Sequence, residues 1–178
     1  MERLLKILSS SKFFCIVLII LIFLVLSGLS IGQNFYLCTR VIDGDTIVVN
    51  INGKKEKVRL IGVDTPETKH PQKPVQRFGK EAYLFTKKMV EGKEVGLEYD
   101  WQKRDKYGRL LAYVFLMDGT FLNAEIIKQG YGFAYTRYPF KYLDEFRRYE
   151  REARENKRGL WKKWNLQISF HNFYLPNF

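Results

Sequence analysis

The chain has 178 residues, 30 Lys and Arg against 19 Asp and Glu, and a formal net charge of +11. That length suits one domain with a real core, and 28% charged with 46% apolar residues excludes a disordered chain or an integral membrane bundle. A pI near 9.6 points to an anionic partner, nucleic acid or a membrane surface, and charge alone does not choose between them.

The first 32 residues read as separate from the fold. Arg3, Lys6 and Lys12 precede an uncharged apolar run, Phe13 to Leu26, and the small and polar SGLSIG follows. A basic start, an apolar middle and small-x-small sites at Gly28–Ser30 and Ser30–Gly32 predict a secretory signal. The rival is an uncleaved anchor, because no charge appears between Phe13 and Arg40 and about 20 residues cross a bilayer. Both readings put the remainder outside the cytoplasm, secreted or membrane-anchored, since the positive end stays inside. Without residues 1–32 the chain keeps 27 basic and 18 acidic side chains, net +9, so the basicity belongs to the folded domain. Cys15 lies in the apolar segment, which leaves Cys38 without an internal partner and reads it as a small buried strand residue.

The next elements are strands. FYLCTRVIDGDTIVVNI holds two β-rich runs around the turn Asp43-Gly44-Asp45. Asn52-Gly53 is a hairpin signal between Ile47–Ile51 and Lys57–Val63. Pro66 to Gln76, with three prolines and no apolar period, reads as an exposed loop. A helix follows, with Phe78, Ala82, Phe85 and Met89 on one face and Gly92 at its end. Val95–Tyr99 and Leu110–Leu116 read as strands joined through the turn Asp105–Gly108, with a further turn at Asp118-Gly119. Leu122–Gln129 is a short helix closed by Gly130, and Leu143, Phe146, Tyr149 and Ala153 recur at helical spacing on a last charged helix running to Gly159. Five strands with inserted helices fit a small antiparallel barrel, of which the OB-fold is one kind.

Three segments concentrate polar residues: VIDGDT with Asp43 and Asp45, VRLIGVDTPE with Arg59, Asp64, Thr65 and Glu67, and DKYGR with Asp105, Lys106, Tyr107 and Arg109. Asp45 and Asp64 each end an apolar run, at a barrel rim. Two carboxylates brought together repel unless a cation lies between them, and without His or Cys nearby a hard ion such as Ca²⁺ fits best. Equally, Asp43 and Asp45 read as turn formers and Asp64 as a cap. Strand alternation sends Arg59, Ile61 and Val63 to one face and Leu60, Gly62 and Asp64 to the other. A guanidinium there holds phosphate oxygens in a bidentate fork, and Arg109 does the same from beyond its turn; taken singly, each reads as a surface ion pair. Glu67, at the start of the loop, is placed to reach a water beside the ion as general base or water-positioner, although a lone Glu in a loop carries no such signal. Together these are the parts of a phosphodiesterase, provided the three segments converge.

VIDGDT, RLIGVDTPETKHP, GKEAYLFTKKMVEG, DKYGRLLAYV and NAEIIKQGYGFAY, in this order and spacing from about Thr39 to Tyr138, resemble the staphylococcal nuclease family. RGLW near the end resembles broader thermonuclease-like relatives. The resemblance implies an α+β, mainly β chain: a five-stranded OB-fold barrel with about three helices, placed here over residues 33–164, after the signal or anchor of 1–32 and before an aromatic tail, 165–178, that lies beyond the resemblance. It implies Ca²⁺-dependent hydrolysis of DNA and RNA at the 5′ P–O bond, leaving 3′-phosphates, by a monomer. It implies Asp45, Asp64 and the backbone carbonyl of Thr65 as metal ligands, with Asp43 behind them. Arg59 and Arg109 match the phosphate-binding catalytic arginines and Glu67 the catalytic carboxylate. Lys106, Tyr107 and Tyr135 match the nucleotide pocket. A second pocket tyrosine of the family is replaced by Arg137, with Tyr138 adjacent.

Two other classes remain to be weighed. A non-catalytic OB-fold module would bind single strands through basic grooves and aromatics without an ion. A membrane-surface protein would carry a juxtamembrane basic patch, and residues 27–39 contain no Lys or Arg.

Overall fold

The computed structural model of the chain describes residues 15, 17–19, 34–67 and 76–166. The chain divides into two units, Met1–Gln33 and Asn34–Phe178. In the first, Cys15 and residues 17–19 are helical and exposed. The rest of the expected signal or anchor lies outside the described residues, as does the aromatic tail beyond Leu166. Among the described residues no helix is long and apolar enough to cross a membrane.

The second unit runs β1 (Phe35–Asp43), β2 (Thr46–Ile51), β3 (Lys54–Leu60), β4 (Val63–Asp64), α1 (Gly79–Val90), β5 (Glu94–Glu98), β6 (Leu110–Leu116), α2 (Leu122–Lys128), β7 (Phe133–Ala134), α3 (Leu143–Glu155) and a 3-10 helix (Gly159–Leu166). Strands close into a barrel in the order β1-β2-β3-β6-β5, while β4 and β7 form a separate two-stranded ladder. This is the expected α+β, five-stranded OB-type barrel with its flanking helices. One detail differs from an antiparallel barrel: β3 and β6 pair in parallel, because α1 and β5 intervene between them.

Local sequence explains the strands. β1 and β2 are rich in β-branched and aromatic residues, and the register shifts between Cys38 and Arg40 and between Val41 and Asp43 bend β1 around the barrel. Asn52 and Gly53 both have positive φ, 51° and 85°, as a two-residue hairpin turn requires. β3 therefore begins at Lys54, three residues earlier than the apolar run suggests. Inside, Val41, Ile47, Val49, Val58, Leu60, Val95, Leu110 and Val114 are all buried. Cys38 joins them, fully buried, and that burial pushes its thiol up to about 11.

Outside the barrel, α1 buries Gly79, Ala82, Thr86 and Val90, one turn apart, with Phe85 and Met89 half-buried beside them. The last α-helix stops at Glu155 rather than running to Gly159, and Gly159 instead opens the 3-10 helix. Leu160 N–H donates to Gly130 O at 2.9 Å, so the RGLW segment is tied to the end of α2.

Candidate active site

Asp43 and Asp45 flank Gly44 in the turn between β1 and β2. Both are buried, 8% and 7% exposed, which is unusual for residues that only make a turn. Gly44 N–H donates to Asp43 Oδ1 at 2.9 Å, and the buried Thr86 of α1 donates its hydroxyl to Gly44 O at 2.6 Å. The helix thus holds the turn from behind.

Arg59 is the penultimate residue of β3, just before Leu60. The strand then breaks at Gly62, which has φ of 71° and abuts the rings of Phe140 and Phe146. This reversal brings Asp64, on β4, back to Arg59. The expected alternation, with Arg59 and Val63 on one face and Asp64 on the other, is corrected by it: the alternation resets at Gly62.

One guanidinium meets four acceptors. Arg59 Nη1 donates to Val63 O at 2.5 Å and Leu60 O at 3.1 Å, which locks the side chain against the reversal. Its Nη2 lies 3.2 Å from Asp45 Oδ2 and 3.3 Å from Asp64 Oδ1. Asp45 is further fixed by the Thr46 hydroxyl at 2.9 Å on Oδ1, and by the Thr65 N–H and hydroxyl at 3.0 and 3.1 Å on Oδ2. Burial pushes the Asp64 carboxyl above its ordinary value; Asp45 and Glu67 push the same way and Arg59 opposes. Glu67 therefore shares the field of the acid pair. Its N–H donates to Gln76 Oε1 at 2.9 Å, and Gln76 N–H donates to Glu67 O at 2.9 Å, closing the neck of the loop whose residues 68–75 lie outside the described set.

The DKYGR turn forms a second group. Val58 pairs with Leu110 and Arg59 with Leu111, so Arg109, just before Leu110, shares the outward face of the β3–β6 pair with Arg59. Asp105 Oδ2 accepts from Arg109 Nε at 2.6 Å, and Asp105 Oδ1 accepts from the N–H groups of Tyr107 and Arg109. Burial raises the Asp105 carboxyl, but the Arg109 bonds outweigh it and hold it below the usual range. Lys106 Nζ and Arg109 Cζ lie 5.1 and 5.6 Å from the ring centre of the exposed Tyr107. Tyr135 N–H donates to Gly62 O at 2.9 Å, just beyond the pairing of Phe133 with Asp64 that adds β7 to β4.

The structure thus brings Asp45, Arg59, Asp64 and Thr65 into contact, with Asp43 in the same turn as Asp45 and Glu67 near enough to act on Asp64, and separately gathers Lys106, Tyr107 and Arg109 around Asp105. Sequence reasoning missed the polar residues that do the positioning. Asn123, fully buried at the start of α2, donates to Ile61 O at 2.9 Å and Ala112 O at 3.3 Å, and accepts from Val114 N–H at 2.9 Å. It thereby ties the Gly62 reversal to β6. The one signal for it was a polar residue at the apolar start of NAEIIKQG.

Among the described residues no three His, Cys, Asp or Glu side chains gather closely enough to hold a metal ion by themselves. The donor set nevertheless suits a hard cation. Two carboxylate oxygens converge on a single nitrogen, and one guanidinium neutralises only one of the two charges.

Residues 57–163, more than half of the chain, match the family described as Staphylococcal nuclease homologue. The chain belongs to that family. Its similarity to individual members of the staphylococcal nuclease family is broad. It is 44% identical over 137 residues to the thermonuclease of Staphylococcus hyicus, covering 76% of this chain and 80% of that protein. It is 41% identical over 167 residues to the thermonuclease of Staphylococcus intermedius, covering 89% and 99%. The endonuclease YncB of Bacillus subtilis (strain 168) is 47% identical over 127 residues, covering 70% of this chain and 60% of that protein.

Proposed function

We propose that the chain is a Ca²⁺-dependent nuclease that hydrolyses DNA and RNA at the 5′ P–O bond and leaves 3′-phosphates. Family membership and the thermonuclease and endonuclease relatives support the reaction class. The observation that carries the reading is the convergence of Asp45 and Asp64 on Arg59, with Arg109 on the same strand face.

In this reading Asp45, Asp64 and the Thr65 carbonyl hold Ca²⁺. The ion, when bound, supplies positive charge against phosphoryl oxygens and makes a nearby water more acidic. Thr46 and Thr65 keep Asp45 in place ahead of binding. Arg59 and Arg109 hold the phosphoryl group and meet the charge that grows in the transition state, since guanidinium stays protonated at any working pH. Glu67, held at the neck of its loop, orients water and accepts its proton. Lys106, Tyr107 and Tyr135 take the nucleotide. The basic surface draws polyanions in a salt-dependent way.

A passive OB-fold binder fits less well, because buried Asp45 and Asp43 beside a binding face repel a polyanion without contributing affinity. The domain is assigned to residues 33–164 and acts as a monomer outside the cytoplasm, with residues 1–32 as its signal or anchor. The test is degradation of single-stranded DNA by the purified chain with Ca²⁺ and with chelator, followed by analysis of product ends. Ca²⁺-dependent fragments ending in 3′-phosphate are expected; strand binding without cleavage would leave the passive binder.

A further inference from the structure

Among the described residues the exposed aromatic rings are Trp101, Tyr107 and Tyr138, at 72%, 73% and 58%. Trp101 and Tyr107 sit on the connection from β5 to β6, and Tyr138 on the segment from β7 to α3. Leaving an indole in water forfeits the free energy of burying it, so a held, exposed Trp is open to a ligand.

These rings are held rather than adrift. Trp101 Nε1 donates to Pro139 O at 3.3 Å, which seats the indole beside Tyr138 and Pro139. Next to it, Asp100 Oδ2 accepts from the Tyr113 hydroxyl and from Lys141 N–H, and Lys141 Nζ pairs with Glu98 at 2.6 Å. The two segments are thus clamped to each other. The Tyr135 and Tyr138 ring centres are 6.2 Å apart, and Tyr135 is bonded to Gly62 next to the acid pair. Tyr135 and Tyr138 therefore lead away from the candidate active site, and the Trp101–Pro139 bond brings the indole to the same segment. A cation accompanies them. Arg137 Cζ lies 5.8 Å from the Tyr138 ring centre, with no carboxylate at ion-pair distance from it among the described residues. Arg137 stands where a second pocket tyrosine was expected, so the segment offers a cation and then a ring.

We propose that Trp101 and Tyr138 form a stacking subsite for unpaired bases flanking the cleaved bond, with Arg137 meeting their phosphates. This rests on the nuclease reading and adds a preference for longer single strands. Stacked bases in such platforms need no particular sequence, and the rings are accessible only to bases outside a duplex.

The test compares kcat/KM of the full chain on an oligothymidylate of roughly 12 nucleotides and on a dinucleotide. In Trp101→Ala and in Tyr138→Ala the ratio of the two falls about tenfold, through KM rather than kcat, and Trp101→Phe restores most of it. A ratio unchanged in both alanine variants overturns the subsite. Tryptophan fluorescence, titrated with the same strand in chelator, reads binding without cleavage: quenching in wild type that disappears in Trp101→Phe supports the subsite, and its absence in wild type overturns it. A wild-type chain that cleaves neither substrate refutes the nuclease reading, and the titration still decides the subsite.

Discussion

Arg59 Nη2 lies 3.3 Å from Asp64 Oδ1, although the two residues are five apart on what reads in the sequence as one continuous strand. The contact exists because the chain reverses at Gly62. Arg59 is bonded across that reversal to Val63 O, so the fold of the bend and the geometry of the site are one structure.

Gly62→Ala tests this coupling. A methyl group there meets the Phe140 and Phe146 rings, and φ of 71° is strained for any residue with a Cβ. Stability should fall by about 2–4 kcal/mol in urea unfolding, with nuclease activity reduced alongside.

Asn123→Leu should be as costly. It leaves Val114 N–H and the Ile61 and Ala112 carbonyls without their side-chain partner in a dry environment. A loss of about 2–4 kcal/mol in the same assay is expected, since stranded buried polar groups forfeit their desolvation free energy.

Thr65→Val isolates the positioning of Asp45. The variant keeps the N–H bond and removes the hydroxyl bond at 3.1 Å. Ca²⁺ affinity measured by calorimetry should weaken by roughly tenfold, the equivalent of one hydrogen bond to a charged group.

The barrel and the reaction class were legible in the sequence because their signals are local. Asn52-Gly53, the β-branched runs and the ordered motifs each carry their own information. What was not legible depends on distant partners. No pattern around Asp64 announces Phe133, its pairing partner on β7, and two residues are too few to show a period. Thr86 lies on the buried face of α1, where a hydroxyl looks like any small side chain until Gly44 O is found 2.6 Å away. Alternation misassigned Asp64 because it assumes an unbroken strand.

Glu56 provides the pH dependence. Side-chain bonds from Arg104 and then Lys54 lower its carboxyl from 4.5 to about 2. A folded-state value below the unfolded one means that the contribution is fully present above about pH 4.5 and is lost as pH falls toward 2. Glu56→Gln should therefore flatten the dependence of urea stability on pH below 4.5 and leave its shape near neutrality unchanged.

The most direct test of the account is the rate of single-stranded DNA hydrolysis by Arg59→Lys at saturating Ca²⁺. Lysine keeps a positive charge between Asp45 and Asp64 but lacks the planar fork proposed to hold phosphoryl oxygens. The account predicts a folded protein with kcat lower by about 10²–10³-fold. A folded variant that cleaves at the wild-type rate would contradict it.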